Sequence, residues 1–130
     1  MKLLDASAIF NLFQDGKYGV LLAGATIPLV RYEIGNILWK NCRIRNRISM
    51  EEAKELAQVM FGLIDSMEIF TPSPGSTIDL ALKEGLTFYD SSYLVAAMES
   101  GYEFVTDDLK LFEISKSKVK VRKSSELDEY

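Results

Sequence analysis

The sequence predicts an α/β domain in which helices flank a central, mostly parallel sheet as three layers. Short apolar segments with strand character alternate along the chain with longer segments whose apolar residues recur at helical spacing. This alternation is typical of consecutive strands that lie parallel and are connected by helices. The chain has 130 residues, a length that suits one domain with a substantial core, and contains neither repeats nor a long linker. We expect a single domain over residues 1–130, with a polar, frayed tail from about residue 124.

Each expected strand is a short apolar segment bounded by polar or turn-forming residues. The first ends at Asp5, and the last alternates Lys or Arg with Val, a pattern that would protect an exposed sheet edge. In chain order, the expected strands are Lys2–Leu4, Ala25–Pro28, Met67–Phe70, Tyr102–Thr106 and Lys118–Arg122.

The expected helices are recognised by apolar periodicity and by residues suited to their ends. Ser49 and Glu52 form a capping box, which starts a helix running to about Ser66. Gly85 and Gly101 suit the position after a helix, where the backbone often becomes left-handed. The other expected helices cover residues 8–13 (capped by Ser7), 17–23, a stretch from Leu29 onward, 78–84 after a loop at 71–76, a segment around Asp90 that ends at Gly101, and 109–114.

Composition excludes several classes of function. The formal net charge of −4 argues against a protein that coats nucleic acid by bulk electrostatics. The absence of histidine removes Ser-His-Asp triads, histidine-based ribonuclease chemistry and histidine metal sites. The single cysteine, Cys42, supplies neither a disulfide framework nor a thiolate zinc site. Any chemistry must therefore use carboxylates, hydroxyls, lysines or a metal ion held by oxygen.

The sequence also predicts a cytoplasmic location. No apolar run approaches the roughly 20 residues needed to span a bilayer. Asp5 interrupts the N-terminal segment, so we expect no secretory signal there.

Several acidic residues fall where a binding site is expected. Asp5 follows the first strand, and Asp107 and Asp108 follow the strand that ends at Thr106. In open α/β sheets, ligands bind beyond the carboxyl ends of the strands. Each of these residues, taken alone, is also explained as a helix cap.

Two further acids belong to helices. Glu33 lies in the first turns of an apolar helix and shares a face with Asn36, three residues later. Asp90 lies at the start of the next-to-last helix, where capping alone would explain a single carboxylate. Several carboxylates in one cleft repel each other, and a divalent cation turns that repulsion into binding. A site rich in oxygen and free of nitrogen ligands suits Mg²⁺ or Mn²⁺ and metal-assisted phosphoryl chemistry.

Four segments, in this order and at these separations, resemble the signature segments of PIN-domain ribonucleases: LLDASAIFNLF, VRYEIGNILWK, TFYDSSYLVAAMESG and FVTDDLKL. Within that family they are most similar to the VapC-type toxins of toxin–antitoxin pairs. The resemblance implies a parallel sheet with strand order 3-2-1-4-5. It also implies a Mg²⁺- or Mn²⁺-dependent endoribonuclease that leaves 5′-phosphate and 3′-hydroxyl ends. Such proteins are usually homodimers held inactive by a small, VapB-like antitoxin.

The resemblance also assigns roles to particular residues. Asp5 matches the metal ligand after the first strand, and Ser7 matches the small hydroxyl residue that often follows it. Glu33 and Asn36 match the E-x-x-N segment, and Asp90 matches the acid of the YD-x-S/A-Y segment. These matches imply that Asp5 and Asp90 bind the metal and that Glu33 binds it or orients water.

The last acid of the site is left open between two neighbours. The family pattern T-x-D favours Asp108, with Thr106 as the accompanying hydroxyl. Asp107 then occupies a position that is usually not acidic, as a secondary ligand or a bystander.

A basic segment follows the Glu33 helix and contains Lys40, Arg43, Arg45 and Arg47 without an acid. These side chains are candidates for contact with an RNA backbone. Solvated cations that favour the end of a helix explain them equally well.

Three other functions compete with that of a toxin. They are RNA processing outside a toxin pair, a PIN-like module used only for assembly, and a phosphatase of another α/β family. The complete acidic set argues against a non-catalytic module.

Overall fold

The computed structural model describes residues 1–128 and contains one five-stranded parallel sheet. Its strands are β1 (Lys2–Leu4), β2 (Ala25–Thr26), β3 (Glu68–Ile69), β4 (Glu103–Val105) and β5 (Val121–Arg122). Their order across the sheet, β3-β2-β1-β4-β5, confirms the α/β class and the order that the resemblance implies. The four later strands are shorter than expected, because the chain leaves the sheet at once into turns and helices.

Seven α-helices are present in residues 1–128, and none is long and apolar enough to cross a membrane. The third helix continues into a π-helical turn at Lys40–Ile44, and the capping box of Ser49 and Glu52 starts the fourth as expected. The helices are α1 (Ala6–Gln14), α2 (Tyr18–Leu22), α3 (Val30–Trp39), α4 (Met50–Asp65), α5 (Pro74–Glu84), α6 (Phe88–Ser100) and α7 (Leu109–Ser115).

The central strand separates two hydrophobic cores. Leu3 and Leu4 are both fully buried and point to opposite faces of the sheet, since strand side chains alternate. Leu4 packs with apolar residues of α1, α2, α3 and α4, whereas Leu3 packs with residues of α6 and with Leu111 of α7. The three layers place β1 and β4 at the centre of the molecule, which fixes the position of the residues that follow them.

The start of α5 differs from the expectation. The sequence predicts a loop over residues 71–76, but the helix already begins at Pro74, with Ser73 before it. Proline is well suited to the first helical position because its fixed φ is already helical and its missing N–H is not needed there. Glu99 accepts hydrogen bonds from the Ser73 N–H at 2.9 Å and the Ser73 hydroxyl at 2.5 Å, a tertiary contact that local sequence does not show.

Two capping expectations are also wrong. Thr87, and not Asp90, caps α6: its hydroxyl oxygen accepts the Asp90 N–H at 3.0 Å. Asp5, and not Ser7, caps α1 by accepting the Ala8 N–H at 2.9 Å. Asp90 therefore lies in the first turn of its helix, as the third helical residue, where its carboxylate is free of the capping role.

The tail is better ordered than expected as far as residue 127. Ser124–Glu126 form a 3₁₀ turn, and Leu127 is buried in the core beside α1. The Lys17 ammonium donates a hydrogen bond to the Leu127 carbonyl at 2.6 Å. Residues 129–130 of the expected polar tail lie outside the described residues.

Candidate active site

A cavity of about 720 Å³ opens at the carboxyl ends of the central strands β1 and β4. Four acidic side chains line it, and each comes from a different part of the chain: Asp5, Glu33, Asp90 and Asp108. The other lining residues are Ala6, Ser7, Leu29, Tyr32, Asn36, Ile37, Lys40, Tyr89 and Tyr93. The fold therefore gathers acids that are up to about a hundred residues apart in sequence.

Asp5 is the most buried acid of the cavity, with 5% of its surface exposed. Its Oδ1 accepts the Ala8 N–H at 2.9 Å and the Ser7 hydroxyl at 2.7 Å, and the Thr106 hydroxyl donates to Oδ2. Burial raises the pKa of Asp5 from its usual 3.8 to about 7, although these hydrogen bonds oppose the rise. The carboxyl group is thus held rigidly in a position where its negative charge is costly.

Thr106 and Ser7 are the two hydroxyl residues that link the ends of β1 and β4. Thr106 is fully buried below the cavity; its hydroxyl oxygen also accepts the Asp108 N–H at 3.2 Å. The Ser7 hydroxyl oxygen accepts the Asp107 N–H at 3.1 Å while its proton is donated to Asp5. The two hydroxyl groups therefore hold Asp5 and the segment 106–108 in one fixed arrangement.

Asp107 and Asp108 have different environments although they are neighbours. Asp108 lines the cavity and caps α7 by accepting the Leu111 N–H at 2.8 Å. Asp107 is absent from the cavity lining and accepts hydrogen bonds from the Asn11 amide at 2.7 Å and from the Ser124 N–H at 2.8 Å. Its second contact with Ser124 is through the hydroxyl, at 2.5 Å. Asp107 thus ties the C-terminal segment to α1.

One stripe of α3 forms a wall of the cavity. The six lining residues between positions 29 and 40 recur at intervals of three and four, the spacing of one helix face. Glu33 and Asn36 lie in this stripe, as their spacing predicts, and Lys40 ends it at the π-helical turn. The wall therefore presents an acid, an amide and an ammonium group in succession.

Glu33 and Asp90 each have a pKa raised by burial and by a neighbouring acid of the cavity. Burial raises the pKa of Glu33, and the negative charge of Asp90 adds to the rise. Burial also raises the pKa of Asp90, with a further increase from Asp108, whereas the Lys110 ammonium opposes it. Since like charges disfavour each other's ionised forms, these shifts show that the carboxylates share one electrostatic environment.

Tyr93 lies below the acids and is 1% exposed. Its hydroxyl makes no hydrogen bond of normal geometry to any other group within residues 1–128. Burial and the nearby charge of Glu33 raise the pKa of Tyr93, so the hydroxyl keeps its proton. The hydroxyl thus lies near Glu33 without a well-formed hydrogen bond to it, and is suited to donate to Glu33, to a water molecule or to a ligand oxygen.

The residues of the cavity fit a hard divalent cation. All its candidate ligands are oxygens. Burial first, and neighbouring negative charge second, raises the pKa values of Asp5, Glu33 and Asp90, and a bound cation would favour their ionised forms. No group of three carboxylate, thiol or imidazole side chains within residues 1–128 is close enough to enclose an ion unaided. This suits Mg²⁺, which is usually bound by one or two carboxylates and completes its shell with water and substrate phosphate.

Two curated relatives from Pyrobaculum aerophilum match most of the chain. Exonuclease VapC9 is 32% identical over 124 residues, which cover 92% of this chain and 89% of the relative. Ribonuclease VapC3 is 31% identical over 124 residues, which cover 87% of this chain and 94% of the relative. The chain belongs to the VapC family. The resemblance to VapC-type PIN-domain toxins is therefore confirmed, although no family model matches the chain.

Solved structures agree with the VapC fold. The crystal structure of PAE2754 from Pyrobaculum aerophilum superposes with a TM-score of 0.77 at 28% identity and covers 92% of this chain and 87% of that one. VapBC-1 from nontypeable Haemophilus influenzae gives a TM-score of 0.60 at 11% identity, covering 96% and 98% of the two chains. At that identity the second likeness shows the fold alone.

The basic segment of this VapC-family chain divides between two cavities. Lys40 lines the acidic cavity, whereas Arg45 and Arg47 line a neighbouring cavity of about 380 Å³ that also contains Ser7. Arg43 is exposed and lines neither of the two. None of these cations forms an ion pair with a carboxylate in the part of the chain that the structure describes.

Sequence reasoning assigned no role to the tyrosines of the VapC cavity, although Tyr89 and Tyr93 belong to the YD-x-S/A-Y segment. Tyr32 directly precedes Glu33, and Tyr89 directly precedes Asp90. The repeated pairing of a tyrosine with a site acid is a signal that could have identified both. Tyr93 could have been found from its position three residues after Asp90, on the same helix face.

Proposed function

We propose that this chain is a divalent-metal-dependent endoribonuclease and the toxin of a toxin–antitoxin pair. The observation that carries the proposal is the convergence of Asp5, Glu33, Asp90 and Asp108 on one cavity at the carboxyl ends of the central strands. The names of its relatives, a ribonuclease and an exonuclease, support nuclease activity.

Asp5, Asp90 and Asp108 would hold Mg²⁺ or Mn²⁺, one or two of them directly and the rest through coordinated water, with Glu33 as a further ligand or as the group that orients water. When bound, the ion would supply positive charge to the scissile phosphate and would lower the pKa of a coordinated water. Asp107 is the weaker candidate, because its oxygens already accept hydrogen bonds from Asn11 and Ser124.

The chain's own residues would position the reactants and accept the proton of the attacking water. Ser7 and Thr106 hold Asp5 in one orientation, so that little reorganisation is needed when charge develops. The raised pKa of Glu33 suits it to accept a proton from the attacking water. The Tyr93 hydroxyl is available as a donor to an oxygen in the cavity. Asn36 and Lys40 offer polar contacts to a phosphate on the α3 wall.

Lys40, Arg43, Arg45 and Arg47 would contact the phosphates of the RNA on either side of the reacting group. Two observations support these contacts. Within residues 1–128 none of the four cations is paired with a carboxylate, and Lys40 lines the cavity. Such contacts would offset the unfavourable overall charge of −4.

The direct test is incubation of the purified chain with linear RNA and with covalently closed circular RNA, in Mg²⁺, in Mn²⁺ and in EDTA. We expect cleavage of both RNAs with either metal and none in EDTA. Asp90→Asn should lose at least about a hundredfold in rate, whereas Asp79→Asn, at an exposed acid paired with Lys83, should retain the wild-type rate. Cleavage of linear RNA alone would indicate an exonuclease, and cleavage in EDTA would contradict the metal requirement.

The toxin role has its own test. Expression of the wild-type chain should arrest growth, Asp90→Asn should not, and co-expression of a small cognate antitoxin should restore growth. Cleavage of RNA without growth arrest would favour a role in RNA processing instead. We also propose a homodimer, which light scattering of the purified chain would detect.

A further inference from the structure

We propose that Tyr32 and Tyr89 recognise the RNA substrate by stacking against unpaired nucleobases next to the scissile phosphate. The inference rests on the proposed nuclease function and adds two residues that recognise the substrate. It concerns the two tyrosines that form the aromatic rim of the cavity, because metal binding by the acids gives them no role.

The two rings are unusually exposed for tyrosine. Tyr32 is 80% exposed and Tyr89 is 58% exposed. Neither ring packs against another aromatic ring or beneath a cation within residues 1–128. Exposed aromatic surface without a partner in the fold is a common mark of a binding surface.

Their position separates them from other exposed aromatic residues. Both line the acidic cavity, Tyr32 from α3 and Tyr89 from α6. Trp39 and Phe88 are 52% and 43% exposed, lie on the same two helices and are absent from the cavity lining. Because each tyrosine adjoins a site acid, a phosphate bound at the acids brings its neighbouring bases within reach of the rings.

The charge of the cavity favours stacking as the means of recognition. Four acids and one lysine line the cavity, so its side chains by themselves attract phosphate only weakly. Stacking of a base on an aromatic ring requires no charge on the protein and contributes about tenfold to affinity per base. Bases in an RNA duplex are already stacked inside the helix, whereas unpaired bases are free to turn outward onto a side chain.

A protein segment is the competing occupant of these rings. RNA is favoured because the rings adjoin the acids and Lys40, the groups that suit a phosphate and its metal ion. An apolar protein segment would gain nothing from those groups.

The first experiment measures cleavage of one RNA, with a mapped cut site, as a single strand and as a duplex. We expect faster cleavage of the single strand. Tyr32→Ala and Tyr89→Ala should each raise KM about tenfold with little change in kcat, whereas Tyr→Phe at either position should retain the wild-type KM. Phe88→Ala is the matched control, at an exposed aromatic residue outside the cavity, and should behave as wild type.

The second experiment removes the bases instead of the rings. With the wild-type chain, an abasic nucleotide beside the cut site should raise the KM for RNA about tenfold. The same abasic RNA should cause no further rise with the alanine variant that lacks the tyrosine contacting that base. Equal losses from the abasic site in wild type and in both alanine variants would overturn the proposal, as would equal cleavage of duplex and single strand. Loss of antitoxin binding in the alanine variants, with unchanged KM for RNA, would assign the rings to a protein partner instead.

A binding measurement keeps this inference separate from the proposed catalysis. The fluorescence of single-stranded RNA labelled with 2-aminopurine should be quenched when wild-type chain is added in Ca²⁺. The quenching should be weaker with Tyr32→Ala or Tyr89→Ala. If wild type quenches the probe but cleaves no RNA in Mg²⁺ or Mn²⁺, the nuclease proposal fails while the stacking is supported. If it cleaves RNA and all variants quench alike, the stacking proposal fails alone.

Discussion

At Asp5 the requirements of folding and of the proposed chemistry oppose each other. The carboxyl group starts α1, accepts three hydrogen bonds and is almost fully buried. Its pKa of about 7 means that the folded chain favours the protonated form over much of the acidic range. A residue selected only for stability at this position would be neutral. Asn can also cap a helix, so the charge itself points to a function.

The replacement Asp5→Asn tests how much the buried negative charge of Asp5 lowers the stability of the fold. Between pH 4 and 7 the folded chain binds more protons at Asp5 than the unfolded chain, whose pKa is near 3.8, so wild-type stability falls as pH rises through this window. In EDTA, Asp5→Asn should therefore melt about 5 °C above wild type at pH 8, and the difference should vanish near pH 4. Thermal denaturation at both pH values measures it. A variant that melts lower than wild type at pH 8 would contradict the burial of a costly charge.

The neighbours Asp107 and Asp108 show what a motif alone can and cannot predict. The pattern T-x-D favours Asp108, but only the structure shows that Asp107 is occupied with Asn11 and Ser124. That information depends on contacts 96 and 17 residues away along the chain, which local sequence does not contain.

These neighbours make a matched pair of variants. Asp107→Ala should lower the free energy of unfolding by about 1–3 kcal/mol, because Asn11 and Ser124 lose their acceptor, and should retain most nuclease activity. Asp108→Asn should keep the cap of α7 and the stability, yet lose nearly all activity. Urea denaturation and RNA cleavage of both variants check this. The opposite pattern of activities would make Asp107 the fourth acid of the site.

Among the elements, α6 brings one acid and two tyrosines to the site. Thr87 caps it, Asp90 and Tyr93 face the cavity from its first turns, and Gly101 ends it with φ of 76°. The sequence predicts this helix and its end correctly but assigns the wrong cap, because Thr87 and Asp90 are both acceptable caps by composition.

Thr87→Ala tests the cap of α6. Loss of the hydroxyl leaves the Asp90 N–H without its partner, so the free energy of unfolding should fall by about 1 kcal/mol. Thr87→Ser, which keeps the hydroxyl, should be close to wild type. Urea denaturation of the three chains measures both effects. Equal destabilisation by alanine and serine would mean that the Thr87 methyl group, and not its hydroxyl, stabilises the helix.

For the whole molecule, the α/β class is predicted from the sequence because each strand and most helices have a local signal. The strand order is not contained in those signals and was implied only by the resemblance to PIN-domain ribonucleases. The acids at strand ends follow from the same reasoning, since parallel strands place their carboxyl ends at one edge. The start of α5, the burial of Leu127 and the role of Asp107 depend on tertiary contacts and could not be predicted locally. The residues that line the cavity were likewise predicted only in part. The sequence predicted Glu33 and Asn36 there, but not Tyr32 and Tyr89.

The account as a whole depends on a cation that the gathered carboxylates hold in common. Calorimetric titration of Mn²⁺ into the chain at pH 7.5 tests it most directly, with Asp5→Asn and Asp90→Asn as variants and Asp79→Asn as the control. We expect saturable binding by wild type and Asp79→Asn, and at least about tenfold weaker binding by the other two. Equal affinity in all four chains would contradict the shared metal site.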